Sequence, residues 1–325
     1  MSNTRSISSA AQLRGVWPAL FTPLNSDDPK RLRNSIDYAK AKVMIDDLIA
    51  AGVTGLVPVG TTGQSPTVSP EQHLDMIRFT VDYAAGRVPV IAGAGSNSTR
   101  ESVDMIQSIQ KALGDTAVLC VTGYYNNPPQ EGLVSHFETL SSETGAKIIV
   151  YNVPARTSSY LEADTLVRLA DDKNIIGLKQ AIDFRNAGKH RDDTLKVVAA
   201  TKDKDFAVVS GEDDGVAAML EMGGAGVISA SANIPELASI FLRLVQAGEA
   251  GDHAAAKKLQ EESLVFVKGV FSRKNPIPLA ALFDSPLFQP LVSVRETEGG
   301  EAAHAALLQL VRDHAVSLKK YHPGL

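Results

Sequence analysis

The sequence predicts a (β/α)8 barrel, an α/β fold of the TIM-barrel type, followed by a helical C-terminal subdomain. Runs rich in Val and Ile alternate with amphipathic stretches eight times between residues 15 and 248, which is typical of eight βα units. The apolar runs lack strict polar alternation, as strands buried on both faces do. The chain has 325 residues, more than the roughly 250 that a barrel needs, so a further subdomain is expected.

Three segments are predicted along the chain. Residues 1–14 form a polar N-terminal extension, residues 15–250 form the catalytic barrel, and residues 251–325 form the helical subdomain. The barrel strands are predicted, in chain order, at GVWPALFT (15–22), VTGLVPVG (53–60), VPVIAGAG (88–95), AVLCVTG (117–123), KIIVYNVP (147–154), NIIGLKQA (174–181), FAVVSGE (206–212) and GAGVISAS (224–231).

Amphipathic helices are predicted after the strands, several opened by Ser, Thr or Pro at the cap position. In the barrel they cover 32–51, 70–86, 99–113, 131–145, 161–172 and 234–248. In the C-terminal subdomain they cover 252–271, 276–284 and 299–319. The sequence leaves open whether this subdomain packs on its own barrel or on a neighbouring subunit.

Composition and charge exclude several classes of partner. The chain has 32 Lys and Arg against 37 Asp and Glu, so it lacks the basic excess that binding nucleic acid requires. No run of 18 apolar residues is present, so we expect no membrane span. The single cysteine, Cys120, fits a packed strand position and a reducing compartment. We therefore expect a cytoplasmic protein, with plastid or other organelle targeting by residues 1–14 as the alternative.

Lys179 is the most informative candidate for catalysis. It lies in the apolar run IIGLKQA, and active sites of barrels form at the carboxyl ends of the strands. Burial disfavours the charged ammonium, and a neutral amine attacks carbonyl carbons. A Schiff base with a keto acid is therefore the predicted chemistry. The alternative is a lysine that is salt-bridged inside the barrel or reaches solvent from a strand end.

Other strand ends carry groups that fit this chemistry. Tyr151, Tyr125 and Thr61 offer hydroxyls for proton transfer, although packing is the commoner role of such tyrosines. Arg156 follows the fifth strand and can bind a carboxylate in bidentate fashion, or it is a solvated loop arginine. Thr61 and Thr62 lie between two glycines and can present hydroxyls and amides to a small carboxylate.

No metal or nucleotide cofactor is expected. The run GAGSNS at 93–98 lacks the third glycine of a dinucleotide fingerprint. The seven histidines show no metal-ligand spacing. The acidic run Glu212-Asp213-Asp214 is interpreted as charge at the start of a helix, where the helix dipole favours it.

Seven motifs, in order over about residues 14 to 285, resemble the dihydrodipicolinate synthase and N-acetylneuraminate lyase superfamily of pyruvate-dependent class I aldolases. The motifs are GTTGxSPT (60–67), VTxYYNxPxQEGL (121–133), YNVPxRT (151–157), GLK (177–179), SGED (210–213), GVISxxAN (226–233) and NPIP (275–278). The pairs Thr61-Thr62 and Arg156-Thr157 are similar to the synthase branch. That branch implies a lyase that condenses pyruvate with L-aspartate 4-semialdehyde to 4-hydroxy-tetrahydrodipicolinate, the first committed step of diaminopimelate and lysine biosynthesis.

The resemblance also implies roles for individual residues. Lys179 would form the Schiff base, and Tyr151, Thr61 and Tyr125 would relay protons, with Tyr125 reaching into a neighbouring subunit's site. Arg156 would bind the carboxylate of aspartate semialdehyde. The remaining implied substrate contacts are Thr61, Thr62, Gly211 and the backbone near Ile228. The implied assembly is a homotetramer built as a dimer of dimers.

The resemblance further implies L-lysine as an effector bound beside the tyrosine pair. The matching positions are Ser65, His73, Asn97, Glu101 and Tyr124. The alternative is that Asn97 and Glu101 merely cap the helix over 99–113.

Two departures from the family pattern bear on the site. Gln64 stands where the family usually has Glu, and the stretch 182–205 is longer and more charged than expected. Two other functions stay open at this point: an aldolase or lyase of another 2-keto acid, of the keto-deoxy sugar acid or neuraminate type, and a non-catalytic barrel that binds ligands.

Overall fold

The computed structural model describes residues 7–325. Seven strands form one parallel sheet in the order β1-β7-β6-β5-β4-β3-β2. The strands are β1 (Gly15–Pro18), β2 (Ile91–Gly93), β3 (Ala117–Val121), β4 (Ile148–Asn152), β5 (Ile175–Gln180), β6 (Ala207–Ser210) and β7 (Gly226–Ser229). Each lies within a predicted run but is shorter than it.

The segment 53–60 closes the ring between β1 and β2, although it is not the regular strand that the sequence predicts. Single parallel bridges join Val57 to Ala19 and Leu56 to Val90. Pro58 has no N–H to donate to a strand ladder, and Val59 has a positive φ of 54°, which an extended strand does not accommodate. The wall of the barrel is therefore eightfold, with one irregular position.

Twelve α-helices are present in residues 7–325. They are α1 (Tyr38–Ala50), α2 (Pro70–Ala84), α3 (Thr99–Leu113), α4 (Gln130–Thr144), α5 (Pro154–Thr157), α6 (Ala163–Leu169), α7 (Lys189–Thr201), α8 (Val216–Glu221), α9 (Pro235–Glu249), α10 (His253–Val270), α11 (Ile277–Leu282) and α12 (Gly300–Asp313). In this part of the chain no helix is both long enough and apolar enough to cross a bilayer.

The first helix begins later than predicted. Its N-cap is Asp37, whose carboxylate accepts a hydrogen bond from the Lys40 amide at 2.9 Å, and this satisfies one of the free N–H groups of the first turn. Ile36 is instead in an antiparallel bridge with Leu24. The prediction of a helix from residue 32 was therefore wrong for 32–37.

The interior of the barrel is filled by apolar side chains and closed at its amino end. Leu13 and Trp17 are fully buried in this inner cluster, and the Trp17 indole donates to the Leu13 carbonyl at 2.9 Å. Gly177 makes room for this plug, since a Cβ there would lie 2.6 Å from the Leu13 side chain. Because the amino end is filled, the carboxyl ends of the strands border the open end.

A second apolar cluster lies between the strands and the helices and continues into the C-terminal helices. Phe283 of the C-terminal region stacks on Phe21 with ring centroids 5.7 Å apart. The C-terminal helices therefore pack on their own barrel. Cys120 is buried, and this burial raises the pKa of its thiol to about 12, as the packed-strand interpretation predicts.

Candidate active site

A cavity of about 380 Å³ opens at the carboxyl ends of the strands. It collects side chains that are far apart in the sequence, because parallel strands end at the same edge of a barrel. Six of the residues predicted from the sequence line it: Thr61, Thr62, Tyr151, Arg156, Lys179 and Gly211.

Lys179 and Tyr151 are neighbours at this end of the barrel. They are register partners on β5 and β4, so their side chains lie side by side. The Lys179 side chain is buried, at 6% exposure, and its Nζ lies 4.4 Å from the centre of the Tyr151 ring. This arrangement places an amine and a phenol together in the lining of one cavity.

Gly211 has a steric role beside the lysine. A Cβ at this position would lie 2.6 Å from the Ala181 Cβ and 3.1 Å from the Lys179 Cε. Any larger residue would therefore displace the lysine side chain or the backbone of the adjoining strand. The sequence motif located Gly211, but only the structure gives this reason for a glycine.

Asn275 connects the two predicted carboxylate-binding groups, and the sequence did not mark it as a site residue. Its side-chain amide donates to Thr62 Oγ1 at 2.9 Å. Its backbone carbonyl accepts a hydrogen bond from Arg156 Nη2 at 2.9 Å. Its Oδ1 is buried and has no hydrogen-bond partner within residues 7–325. The NPIP motif was the only signal in the sequence for this position.

Glu212 precedes a short 3-10 helix over Asp213–Gly215, so the acidic run lies at the start of a helix as predicted, and Glu212 also lines the cavity. Burial and the nearby carboxylates of Asp213 and Asp214 raise the pKa of Glu212 to about 7. Asp213 is buried and accepts hydrogen bonds from the Ser231 backbone N–H at 2.7 Å and Oγ at 2.5 Å. The acidic run thus contributes Glu212 to the cavity lining, whereas Asp213 binds Ser231 in the protein interior.

Basic residues dominate the rim of the cavity. Arg156, Arg273 and Lys274 line it together with Lys179, and Glu212 opposes them. Such a charge balance favours small molecules that carry carboxylates. In the part of the chain from 7 to 325, no group of three or more His, Cys, Asp or Glu side chains is arranged to hold a metal.

Two predicted site residues lie outside this lining. The Tyr125 side chain is 93% exposed and its backbone has a positive φ of 76°. Ile228 belongs to the inner apolar cluster, and Ala230 on the same side of the barrel borders the cavity instead. The single chain therefore does not bring Tyr125 to the lysine.

The positions predicted for an effector surround the ends of β2 and β3. The Asn97 side chain accepts a hydrogen bond from the Tyr124 amide at 2.7 Å. His73 Nε2 lies 2.7 Å from the Gly93 carbonyl oxygen, and burial lowers the pKa of this histidine.

The remaining two effector positions are Glu101, in the first turn of α3, and Ser65, in the turn region that follows segment 53–60. Glu101 accepts a hydrogen bond from Ser96 Oγ at 2.5 Å, and the Ser65 amide donates to the Gly60 carbonyl at 3.2 Å. The cap of α3 is Ser98, whose Oγ accepts from the Glu101 amide at 3.3 Å. Ser98, not Asn97, is therefore the cap, whereas Glu101 lies in the first turn of α3 as the alternative predicts.

Gln64, at the position where the resemblance leads us to expect Glu, is buried at 1% exposure. Its Oε1 accepts a hydrogen bond from the Phe288 amide at 3.0 Å, and its Nε2 donates to the Thr22 carbonyl at 3.4 Å. An amide can donate and accept at once, whereas an ionised carboxylate only accepts. Gln64 thus joins the loop after segment 53–60 to the C-terminal region without a buried charge.

Comparisons with known proteins identify the family and match the fold. The Dihydrodipicolinate synthetase family matches residues 12–296. A protein of Bradyrhizobium diazoefficiens named 4-hydroxy-tetrahydrodipicolinate synthase is 39% identical over 88% of this chain and 93% of its own length. A protein of Methanopyrus kandleri with the same name is 40% identical over 88% of this chain and 92% of its own length. The crystal structure of dihydrodipicolinate synthase from Thermotoga maritima superposes with a TM-score of 0.83 at 31% identity, covering 93% of this chain and 98% of that one.

Proposed function

This chain belongs to the dihydrodipicolinate synthetase family, and we propose that it condenses pyruvate with L-aspartate 4-semialdehyde through a Schiff base on Lys179. The chain is a lyase of the class I aldolase type, and its product is 4-hydroxy-tetrahydrodipicolinate, at the entry to diaminopimelate and lysine biosynthesis. The observation that carries the assignment of Lys179 is its burial beside Tyr151 in a cavity rimmed by carboxylate-binding groups.

The first half of the reaction activates pyruvate. The Lys179 amine attacks the keto carbon, water leaves, and an iminium forms. The iminium withdraws electrons from the adjacent methyl group, which loses a proton to give an enamine. Tyr151 is the register partner of the lysine, and with Thr61 it supplies the hydroxyls that move these protons. Thr61 and Thr62 receive the pyruvate carboxylate.

The second half joins the aldehyde substrate. The enamine carbon bonds to the aldehyde carbon, and the new alkoxide takes a proton. The Arg156 guanidinium, oriented by the Asn275 carbonyl, binds the substrate carboxylate. Glu212 accepts a hydrogen bond and then a proton from the substrate ammonium, and a group whose pKa is about 7 exchanges protons readily at neutral pH. The freed amine attacks the iminium carbon, closes the ring and releases Lys179.

Incubation with pyruvate and borohydride tests the Schiff base. Reduction should fix one carboxyethyl group per chain, measured by intact mass and located by peptide mapping at Lys179. Lys179→Ala should abolish the adduct, whereas Lys274→Ala, which removes another lysine of the same cavity, should retain it. An adduct on Lys274, or one that survives Lys179→Ala, contradicts the assignment. Consumption of aspartate semialdehyde then distinguishes the synthase from an aldolase of another 2-keto acid.

Assembly, cofactor requirement and location are further parts of the proposal. A homotetramer, as a dimer of dimers, would supply Tyr125 from a neighbouring subunit, and the exposure of this tyrosine in the single chain supports that role. The reaction as derived uses a covalent lysine adduct and calls on no metal or nucleotide. We place the protein in the cytoplasm, where its keto-acid substrate is available.

A further inference from the structure

We propose that Arg185, on the loop over 181–188 that follows the lysine strand, is a positioning residue for the wall of the cavity that binds the aldehyde substrate. The inference rests on the proposed function, because it assumes that this part of the cavity binds aspartate semialdehyde. Arg185 lies in the stretch 182–205, which we expect from the sequence to be longer and more charged than in the family.

The loop is fixed in place by its own side chains. It occupies the carboxyl end of β5, between the lysine strand and the start of α7 at Lys189. Phe184 is fully buried in the outer apolar cluster, and its carbonyl accepts a hydrogen bond from Arg191 Nη1 at 3.4 Å. Arg185 follows this anchor directly. The position of Arg185 is therefore set by the packing of Phe184. Long surface loops commonly lack such packing.

Arg185 pairs with two carboxylates on different segments. Its Nε donates to Asp183 Oδ1 at 2.9 Å within the loop, and its Nη1 donates to Asp214 across the loop boundary. Asp214 belongs to the turn Asp213–Gly215, which begins immediately after Glu212. The arginine therefore connects the loop to the turn that carries the cavity carboxylate.

The contact between loop and turn is close. A Cβ on Gly215 would lie 3.0 Å from the Phe184 ring and 3.5 Å from Arg185 Cγ. In the same turn, Asp213 accepts two hydrogen bonds from Ser231. The segment that carries Glu212 is thus held by two separate contacts, from Ser231 and from Arg185, and loss of either contact should loosen it.

Charge gives Arg185 a second effect on Glu212. The groups that face Glu212 are Asp213 and Asp214 on its own segment, Lys179 and Arg185 from the lysine strand and its loop, and Arg156, Arg273 and Lys274 on the cavity wall. Burial and the carboxylates of Asp213 and Asp214 raise the pKa of Glu212. The positive charge of Arg185 lowers it. Removing that charge should raise this pKa further.

The test is the pH dependence of kcat/KM for aspartate semialdehyde in Arg185→Gln. Ionised Glu212 is the form that accepts from the substrate ammonium, so activity should rise with pH through the pKa of this group. In the variant the midpoint of that rise should move upward by about 0.5 to 1 pH unit, and kcat/KM at neutral pH should fall about two- to fivefold because less Glu212 is ionised there. Borohydride trapping with pyruvate should be unchanged.

Three companion variants separate positioning from general damage. Arg185→Lys keeps the charge and should restore the midpoint. Asp214→Asn removes a carboxylate from beside Glu212 and should move the midpoint in the opposite direction, to lower pH. Arg191→Gln removes the hydrogen bond to the same loop without a charge facing Glu212, and should leave the midpoint in place.

The inference is overturned if Arg185→Gln has the wild-type pH profile, or if pyruvate trapping and aldehyde turnover fall equally. Failure of the proposed function is recognised separately, in the wild type itself. If the unaltered protein forms the pyruvate adduct but does not consume aspartate semialdehyde, the substrate assignment is wrong whatever the Arg185 variants do.

Discussion

Arg156 is predicted to bind one of the two substrates and not the other. Its guanidinium is held by the Asn275 carbonyl at the rim of the cavity, whereas the pyruvate carboxylate is assigned to the threonine pair. Arg156→Ala should therefore lower kcat/KM for aspartate semialdehyde by about 10²-fold, in the range of a lost charged hydrogen-bond pair. The KM for pyruvate and the borohydride adduct should be nearly unchanged. Steady-state kinetics with each substrate varied in turn provides the measurement, and equal losses for both would assign Arg156 to the fold.

Gly211 gives a steric prediction at the same scale. Gly211→Ala places a methyl group against the Ala181 and Lys179 side chains, so adduct formation with pyruvate should slow by about tenfold and the free energy of unfolding should fall by about 1 to 3 kcal/mol. Rapid-quench trapping and urea unfolding measure the two effects.

Gly60→Ala is the matched control for that substitution. A Cβ on Gly60 meets no atom within 4 Å, so its methyl group should leave the unfolding free energy almost unchanged. If Gly211→Ala forms the pyruvate adduct as fast as the wild type does, the added methyl group does not crowd the Lys179 side chain and the prediction is wrong.

At the scale of elements, the apolar pattern predicts where strands lie but not how regular they are. Period and composition located the runs that became β1 to β7, because burial on both faces selects Val and Ile. They could not reveal that Val59 takes a positive φ or that Ile36 bridges Leu24. These features depend on neighbours that are distant in the sequence.

The residues of the candidate site likewise divide into those that the sequence could identify and those that it could not. The motifs pointed to groups that we propose contact substrate, such as Lys179 and Arg156. They also contain Asn275 and Glu212 but did not mark either as a site residue, because the importance of these two comes from what lies beside them after folding. A carboxylate near the start of a helix has an ordinary explanation in the sequence, and only the cavity lining shows that Glu212 faces the lysine.

Feedback by L-lysine is a prediction about the loops that join β2 to α3 and β3 to α4. We propose that lysine binds beside Tyr124, whose amide is held by Asn97, with Glu101 facing the ligand ammonium. Millimolar lysine should lower kcat without simple competition against pyruvate, because it biases the position of the tyrosine pair. Initial rates across a lysine series provide the measurement. Unaffected wild-type activity, or equal inhibition of Glu101→Ala, would contradict the site.

At the scale of the whole molecule, the position of Tyr125 predicts a site shared between copies. Tyr125→Phe should lower kcat by about 10²-fold, the usual contribution of one proton-transfer group. If the hydroxyl comes from a neighbour, mixing Tyr125→Phe with Lys179→Ala chains should recover part of the activity. Mixed oligomers purified with two affinity tags provide the measurement, and absence of recovery in them would place the relay within one chain.

The segment 53–60 has a consequence for local motion in the barrel. Its backbone is hydrogen-bonded to both neighbours from Thr54 to Pro58, whereas within residues 7–325 the amides of 59–63 donate no backbone hydrogen bond. Amide protons of 59–63 should therefore exchange with solvent by local opening, well below the free energy of global unfolding. These residues include Thr61 and Thr62, so pyruvate bound there should slow exchange over 59–63 more than over β4 and β5, as hydrogen–deuterium exchange with mass spectrometry would record. The part of the barrel wall that opens most easily would then be the part that receives the substrate carboxylate.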